Sequence, residues 1–229
     1  NWAQMSPAVS PAPRTDHAVA LGPGRARFVM FGGAGGAGAL ADTWEFDPVT
    51  VSWTNVSIVG SSPSARDRAA MTFDPVTGKI MLQGGSTGGG ETWLFDGNAR
   101  TWTRVATGGP TRAGHAIAYF PPANRVVLYG GSGAGTGQTA WAWDGTAWSA
   151  YGGTGPATAI EHTLTYDPRT QNLVLVGPST SDAAAWEFDG AIWRRLPFAA
   201  GSLRARNNHA AWYDAARGHG VHHVRYRRP

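Results

Sequence analysis

Cysteine is absent from the 229 residues. That excludes disulfides, thiolate nucleophiles and thiolate metal sites, and it leaves the compartment open, since secreted and cytosolic chains can both lack it. Charged side chains are scarce, at 15% of residues, and Lys79 is the only lysine. No apolar run comes near the length of about 18 residues at which a membrane helix is considered, so membrane is excluded as a partner. The net charge of +4 is unevenly spread, because Arg204, Arg206, Arg217, Arg225, Arg227 and Arg228 all lie in the last 26 residues. This reads as a basic tail on a nearly neutral body. Nucleic acid is excluded too, because a phosphate-binding surface needs basic residues clustered on a folded face with aromatics presented for stacking. A start at Asn1, with neither Met nor a signal region, is read as that of a processed or excised segment, with a secreted or periplasmic location favoured over a cytoplasmic one. Asn55-Val56-Ser57 fits the glycosylation triplet, a pattern common by chance.

What the chain has in quantity is glycine (32), proline (15) and tryptophan (11), with 42% hydrophobic residues. These fall into a paragraph written four times at intervals near 50 residues. The first copy runs Arg14, His17, Pro23, Phe-Gly-Gly (31–33), Trp-Glu-Phe-Asp (44–47), Trp53. The second runs Arg66, Pro75, Gln-Gly-Gly (83–85), Trp-Leu-Phe-Asp (93–96), Trp102. The third runs Arg112, His115, Pro121, Tyr-Gly-Gly (129–131), Trp-Ala-Trp-Asp (141–144), Trp148. The fourth has Ala159 in place of Arg, then His162, Pro168, Val-Gly-Pro (176–178), Trp-Glu-Phe-Asp (186–189) and Trp193. A fifth opens with Arg206 and His209 and is not completed.

Repeats of this length with only strand-type segments imply small sheets that cannot bury their faces alone. Each unit reads as four short strands, a to d. Strand a follows the Arg, strand b ends on Gly-Gly, strand c carries Trp-x-[Phe/Trp]-Asp, and strand d is marked by one Trp. Asp-Pro and Asp-Gly supply the tight a–b and c–d turns. The longer b–c and d–a loops then share the opposite end, with the Arg and His that open strand a. The expectation is a single domain over residues 1–229, with blade units at about 6–54, 55–103, 104–149, 150–194 and 195–229 plus 1–5. In the last of these, Asn1–Met5 would be an orphaned outer strand closing a ring of five against His209–Tyr213 and the strand after it.

Gly-Gly closing strand b, an aromatic strand c, a lone Trp on strand d and the Arg-x-x-His opening resemble the kelch repeat, over nearly the whole chain. The resemblance implies a β-propeller of four-stranded blades with strand a innermost. The departures are Gly-Pro in unit four, Ala69 for His, Ala159 for Arg, and a last unit lacking both signatures.

The candidate ligand-binding residues stand at the expected channel mouth: Arg14, Arg66, Arg112 and Arg206, with His17, His115, His162 and His209. Converging guanidiniums hold a carboxylate, sulfate or phosphate by paired hydrogen bonds. The alternative is that each Arg ties its own loop through an acid or backbone carbonyls. The His series invites a metal, but no carboxylate accompanies it at fixed spacing, so no metal and no cofactor is assigned. His219, His222 and His223 read as adventitious. Gly33-Ala-Gly35-Gly36-Ala-Gly38 satisfies a dinucleotide pattern, yet a strand follows it where a helix is required. Asp47, Asp96, Asp144 and Asp189 recur at turns, on the opposite end from the rim. Asp16, Asp67 and Glu161 lie near the rim, and Glu161 beside His162 is the one acid–base candidate. No catalytic residue is assigned. The leading expectation is a non-catalytic binding module showing a loop-rich face to a protein or glycan. The alternatives are an enzyme acting on an acidic sugar or another small anion, isomerase-like, as some kelch-like propellers are, and an excised or engineered propeller without ligand. A closed ring implies a monomer, an open one self-association.

Overall fold

The computed structural model describes residues 4–22, 27–58, 60–133, 139–157, 160–178, 183–197, 210–214 and 219–224. The chain divides into two compact units, Asn1–Thr111 and Arg112–Pro229. Unit 1 holds β1 (Ala18–Leu21), β2 (Phe28–Phe31), a small hairpin of β3 (Ala34–Gly35) and β4 (Gly38–Ala39), then β5 (Thr43–Asp47) and β6 (Ser52–Asn55). It continues with β7 (Ala70–Asp74), β8 (Lys79–Gln83), β9 (Thr92–Asp96) and β10 (Thr101–Ala106). Unit 2 holds β11 (Ala113–Phe120), β12 (Arg125–Ser132), β13 (Thr139–Trp143), β14 (Trp148–Thr154), β15 (Thr163–Asp167), β16 (Asn172–Pro178), β17 (Ala183–Phe188) and β18 (Trp193–Arg195). A hairpin of β19 (Ala210–Asp214) and β20 (His219–Val224) follows. Among the described residues the only helical piece is one 3₁₀ turn, Pro121–Ala123.

Four antiparallel sheets result, ordered β1-β2-β5-β6, β7-β8-β9-β10, β11-β12-β13-β14 and β15-β16-β17-β18. Each is one repeat with strands a to d in chain order, as the motifs predict. In unit 1, β1 and β7 lie side by side; in unit 2, β11 neighbours β15, and β15 neighbours β19. The a strands of adjacent blades therefore meet. The expected closing blade, with Asn1–Met5 as outer strand, falls largely outside the described residues.

The turns form for the reason the sequence suggests. Asp47, Asp96, Asp144 and Asp189 each accept two backbone N–H bonds on one Oδ1, from the residues two and three further on. A short acceptor side chain here replaces the carbonyl of a regular turn.

The Gly-Gly pairs have a second cause. Gly130 and Gly131 both take left-handed φ, +70° and +85°, and a Cβ on Gly131 would sit 2.7 Å from the Cβ of His115. Glycine is needed both for the kink and for the close approach of strand a. In the fourth blade β16 runs straight through Gly177-Pro178, pairing with Ala184 and Ala183. Proline cannot adopt positive φ, so this blade loses the kink. Gly177 itself is still required, since a Cβ there would lie 2.3 Å from that of His162.

Each unit has its own interblade core. In unit 1, Ala18, Ala20, Val29 and Phe31 of the first blade meet Met71, Ile80, Leu82, Trp93, Phe95 and Trp102 of the second. In unit 2, Ala118, Phe120, Val127, Ala140 and Ala142 meet Leu164, Leu173, Leu175, Phe188 and Trp193. The receiving face mixes small residues with Phe31 in unit 1 and with Phe120 and Tyr129 in unit 2, and the next blade's tryptophan, Trp102 or Trp193, packs against it.

Candidate functional site

The rim is built around the Arg that opens each blade. Arg14, Arg66 and Arg112 each donate Nη1–H to a carbonyl 18 residues on, that of Gly32, Gly84 and Gly130, at 3.0, 3.0 and 2.9 Å. The guanidinium thus clips the d–a loop to the end of strand b, where the Gly-Gly kink turns its carbonyl out of the ladder. Arg14 adds a two-pronged pair with Asp42, at 2.5 and 2.8 Å. Arg66 adds Glu91 at 2.8 Å and both the carbonyl and hydroxyl of Ser64. Arg66 and Arg112 are each 1% exposed. These are the bonds of a residue that fastens its own blade. Arg206 and His209 lie outside the described residues.

Asp42 and Glu91 were not singled out from the sequence, although a signal was there. Each stands two residues before the strand-c Trp, and each accepts its indole N–H, at 2.7 and 3.1 Å. Burial pushes the Asp42 carboxyl up, but the bonds from Arg14 and Trp44 outweigh it and hold the group below the usual carboxylate range. Glu91 follows the same pattern: burial raises it, while bonds from Arg66, Trp93 and Arg104 bring it below its ordinary value. The corresponding positions before Trp141 and Trp186 carry Thr139 and Ala184, so the second unit lacks this acid.

The residue two places after the Arg position is left-handed in every blade: Asp16 (φ 55°), Arg68 (52°), Gly114 (66°) and Glu161 (59°). Its backbone joins neighbouring blades, Arg68 N–H to the Asp16 carbonyl and Glu161 N–H to the Gly114 carbonyl, both at 2.8 Å. A strained backbone is a functional hint when it is singular. Here it recurs in all four blades as a fastening, and Glu161 occupies a place that glycine fills in the preceding blade.

The histidines do not share one environment. His17 keeps an exposed edge, yet partial burial and then the Arg14 charge lower its pKa, with Asp16 opposing them. His162 is 6% exposed and its Nε2 lies 3.1 Å from the Tyr129 carbonyl. His115 is also 6% exposed, and neither ring nitrogen reaches a partner at regular hydrogen-bond geometry. Burial, then His162 and Arg112, lower its pKa to about 3, against a smaller opposing effect from the Arg112 backbone. The side chains of His219, His222 and His223 are outside the described set. The glycine-rich loop at Gly33–Gly38 folds as the β3–β4 hairpin, tied to Thr15 by two backbone bonds with Ala34, and runs on into β5. Among the described residues no helix N-terminus faces it, so it offers no cradle for a pyrophosphate.

Four-stranded antiparallel blades with adjoining a strands, the first three each closed by an Arg-to-glycine clip, define an all-β, kelch-type β-propeller. The model of the KLHDC2/KLHL20/DRC7 Kelch-repeats domain matches residues 1–131, and the chain belongs to the kelch-repeat family. Comparison with curated proteins found no match.

Proposed function

We propose that the chain is a non-catalytic interaction module whose blades present their loop-rich rim to a protein or glycan partner. One observation supports this above others. Arg14, Arg66 and Arg112 donate into their own blades, so the rim is a fixed frame, and what varies between blades is the b–c and d–a loops around it. Binding residues on rigid scaffolds usually lie in such loops. Arg14, Arg66 and Arg112, with His17, His115 and His162, mark the level of the proposed mouth, and the loops supply its contacts.

A random peptide display library and an array of defined glycans, each applied to the intact chain, test this reading. The expected result is a saturable peptide or glycan ligand whose binding is lost in Ala37→Arg and Ser86→Arg, both at exposed loop positions, with melting unchanged. Binding indifferent to both changes would count against the rim. A saturable thermal shift with sialic acid or another small carboxylate, accompanied by isomerisation of the sugar, would replace this reading with that of an enzyme on acidic sugars.

A further inference from the structure

Unit 1 leaves open a corner that unit 2 fills. The corner lies between two blades at the end of the short a–b and c–d turns, away from the rim. In unit 2, Phe120 ends strand a there; it is 1% exposed, sits over Gly190 and meets Phe188 at 6.3 Å between ring centroids. Ala142 on strand c is buried with it in the same interblade core. The same repeat positions in unit 1 carry Gly22 and Glu45, with Gly97 standing where Gly190 stands. A notch results, lined by Arg27, Val29 and Glu45 of the first blade and by Ile80, Gly97 and Asn98 of the second. Glu45 is 3% exposed. Both arginines that reach it, Arg27 of its own blade at 3.2 Å and Arg100 of the next at 2.8 Å, donate to Oε2. Oε1 has no partner among the described residues.

Three properties decide what this oxygen receives. The space is about 30 Å³, enough for about two water-sized groups and too little for a sugar ring. The charges around it are already balanced. Arg27 and Arg100 face Glu45 and Asp47, the Arg27–Asp47 pair being 3.3 Å long, and Lys79 meets Asp96 at 3.6 Å. A lysine or arginine would therefore meet two guanidiniums, and a carboxylate would meet Oε1 itself. What fits is a neutral group on a slender stem that donates and also accepts. We propose that the notch is a second contact site, at the turn end of unit 1, for a glutamine or asparagine side chain of a protein partner. The carboxamide N–H donates to Glu45 Oε1, its oxygen accepts from the Asn98 amide at the lip, and its methylenes lie along Val29 and Ile80. A group that replaces solvent and keeps these hydrogen bonds gains affinity where one that breaks them loses it.

A random peptide library panned on the intact chain and then depleted on Gly22→Phe tests the site. Gly22 is not left-handed, and a Cβ there would meet only the Arg27 carbonyl oxygen at 3.4 Å and Ile80 at 3.5 Å. The variant copies the third blade and closes the notch without touching Glu45. Peptides held by the wild type and lost on the variant should share a glutamine or asparagine at one position. Changing that residue to leucine should weaken binding about 10-fold or more. Ala37→Arg and Ser86→Arg should leave these peptides bound, whereas a peptide held by the rim shows the reverse pattern, so the two sites fail separately. Should Gly22→Phe not fold, Asn98→Trp at its exposed turn position covers the lip and serves for the depletion. A shared lysine, arginine, serine or aromatic residue in place of the carboxamide overturns the assignment. So does a glycan lost on the closed variant, or the absence of any peptide that tells the two proteins apart.

Discussion

At the scale of single residues the arginines show how a repeat position can look like a binding site. Four guanidiniums at one register are what an anion site needs, and they are also what four equal fastenings need. Burial and hydrogen bonds discriminate. Arg66 has no exposed side-chain surface and pairs with Glu91 at 2.8 Å. Removing one member of a buried pair leaves the other, and the carbonyls it served, without partners. Arg66→Leu should therefore cost on the order of 3–5 kcal/mol in urea unfolding, whereas a ligand-only arginine would cost almost nothing. The acids paired to these arginines carry a pH signature of their own. Asp42 and Glu91 titrate below their ordinary values in the fold, so their contribution is present above the unfolded carboxylate pKa of about 4 and disappears as pH falls through the lower folded value. Asp42→Asn should flatten the part of the acid unfolding curve below pH 4, and an unchanged curve would show that the Arg14 pair adds nothing to stability.

At the scale of strands and blades, the strand-d tryptophans share one sequence position and differ in what they cover. Trp102 is 3% exposed and lies against Phe31 of the preceding blade at 5.3 Å and Phe95 of its own at 5.0 Å. Trp193 likewise reaches Tyr129 of the preceding blade at 4.5 Å and stacks on Phe188. Trp53 and Trp148 are half-buried, each against the aromatic of its own strand c, Phe46 or Trp143. Interblade packing is therefore visible within the units for Trp102 and Trp193. Trp102→Ala should cost about 3–5 kcal/mol, and Trp53→Ala distinctly less; equal losses in the two melting curves would sink the distinction. Gly131→Ala tests the kink, because the new methyl meets His115 while φ stays at +85°. A loss on the order of 1–3 kcal/mol is expected, and a neutral effect would mean that strand a can retreat freely.

At the scale of the molecule, stability should be local. Each unit has its own interblade core, and in repeat architectures energy is passed between nearest neighbours. Trp102→Ala should accordingly lower exchange protection in β1, β2, β7 and β8 far more than in β15 and β16. Loss of equal size in both units would show one cooperative block instead.

The strand order, the turns and the family were legible in the sequence because they depend on short-range rules repeated four times. Asp at the c–d turn, Gly-Gly after strand b and alternation along the strands act within a few residues of one another. A single sequence shows such a rule as soon as it recurs. The roles of Arg14, Arg66 and Arg112 were not legible in this way, since ligand and fastening require the same residue at the same spacing. Their carbonyl acceptors lie 18 residues away and their acids 25 to 28, and which of these a guanidinium meets depends on how strand b kinks and where the b–c loop returns. The burial of His115 beside an exposed His17 is a tertiary matter for the same reason. The motif places an imidazole at the start of strand a, and the packing around each blade decides whether water reaches it.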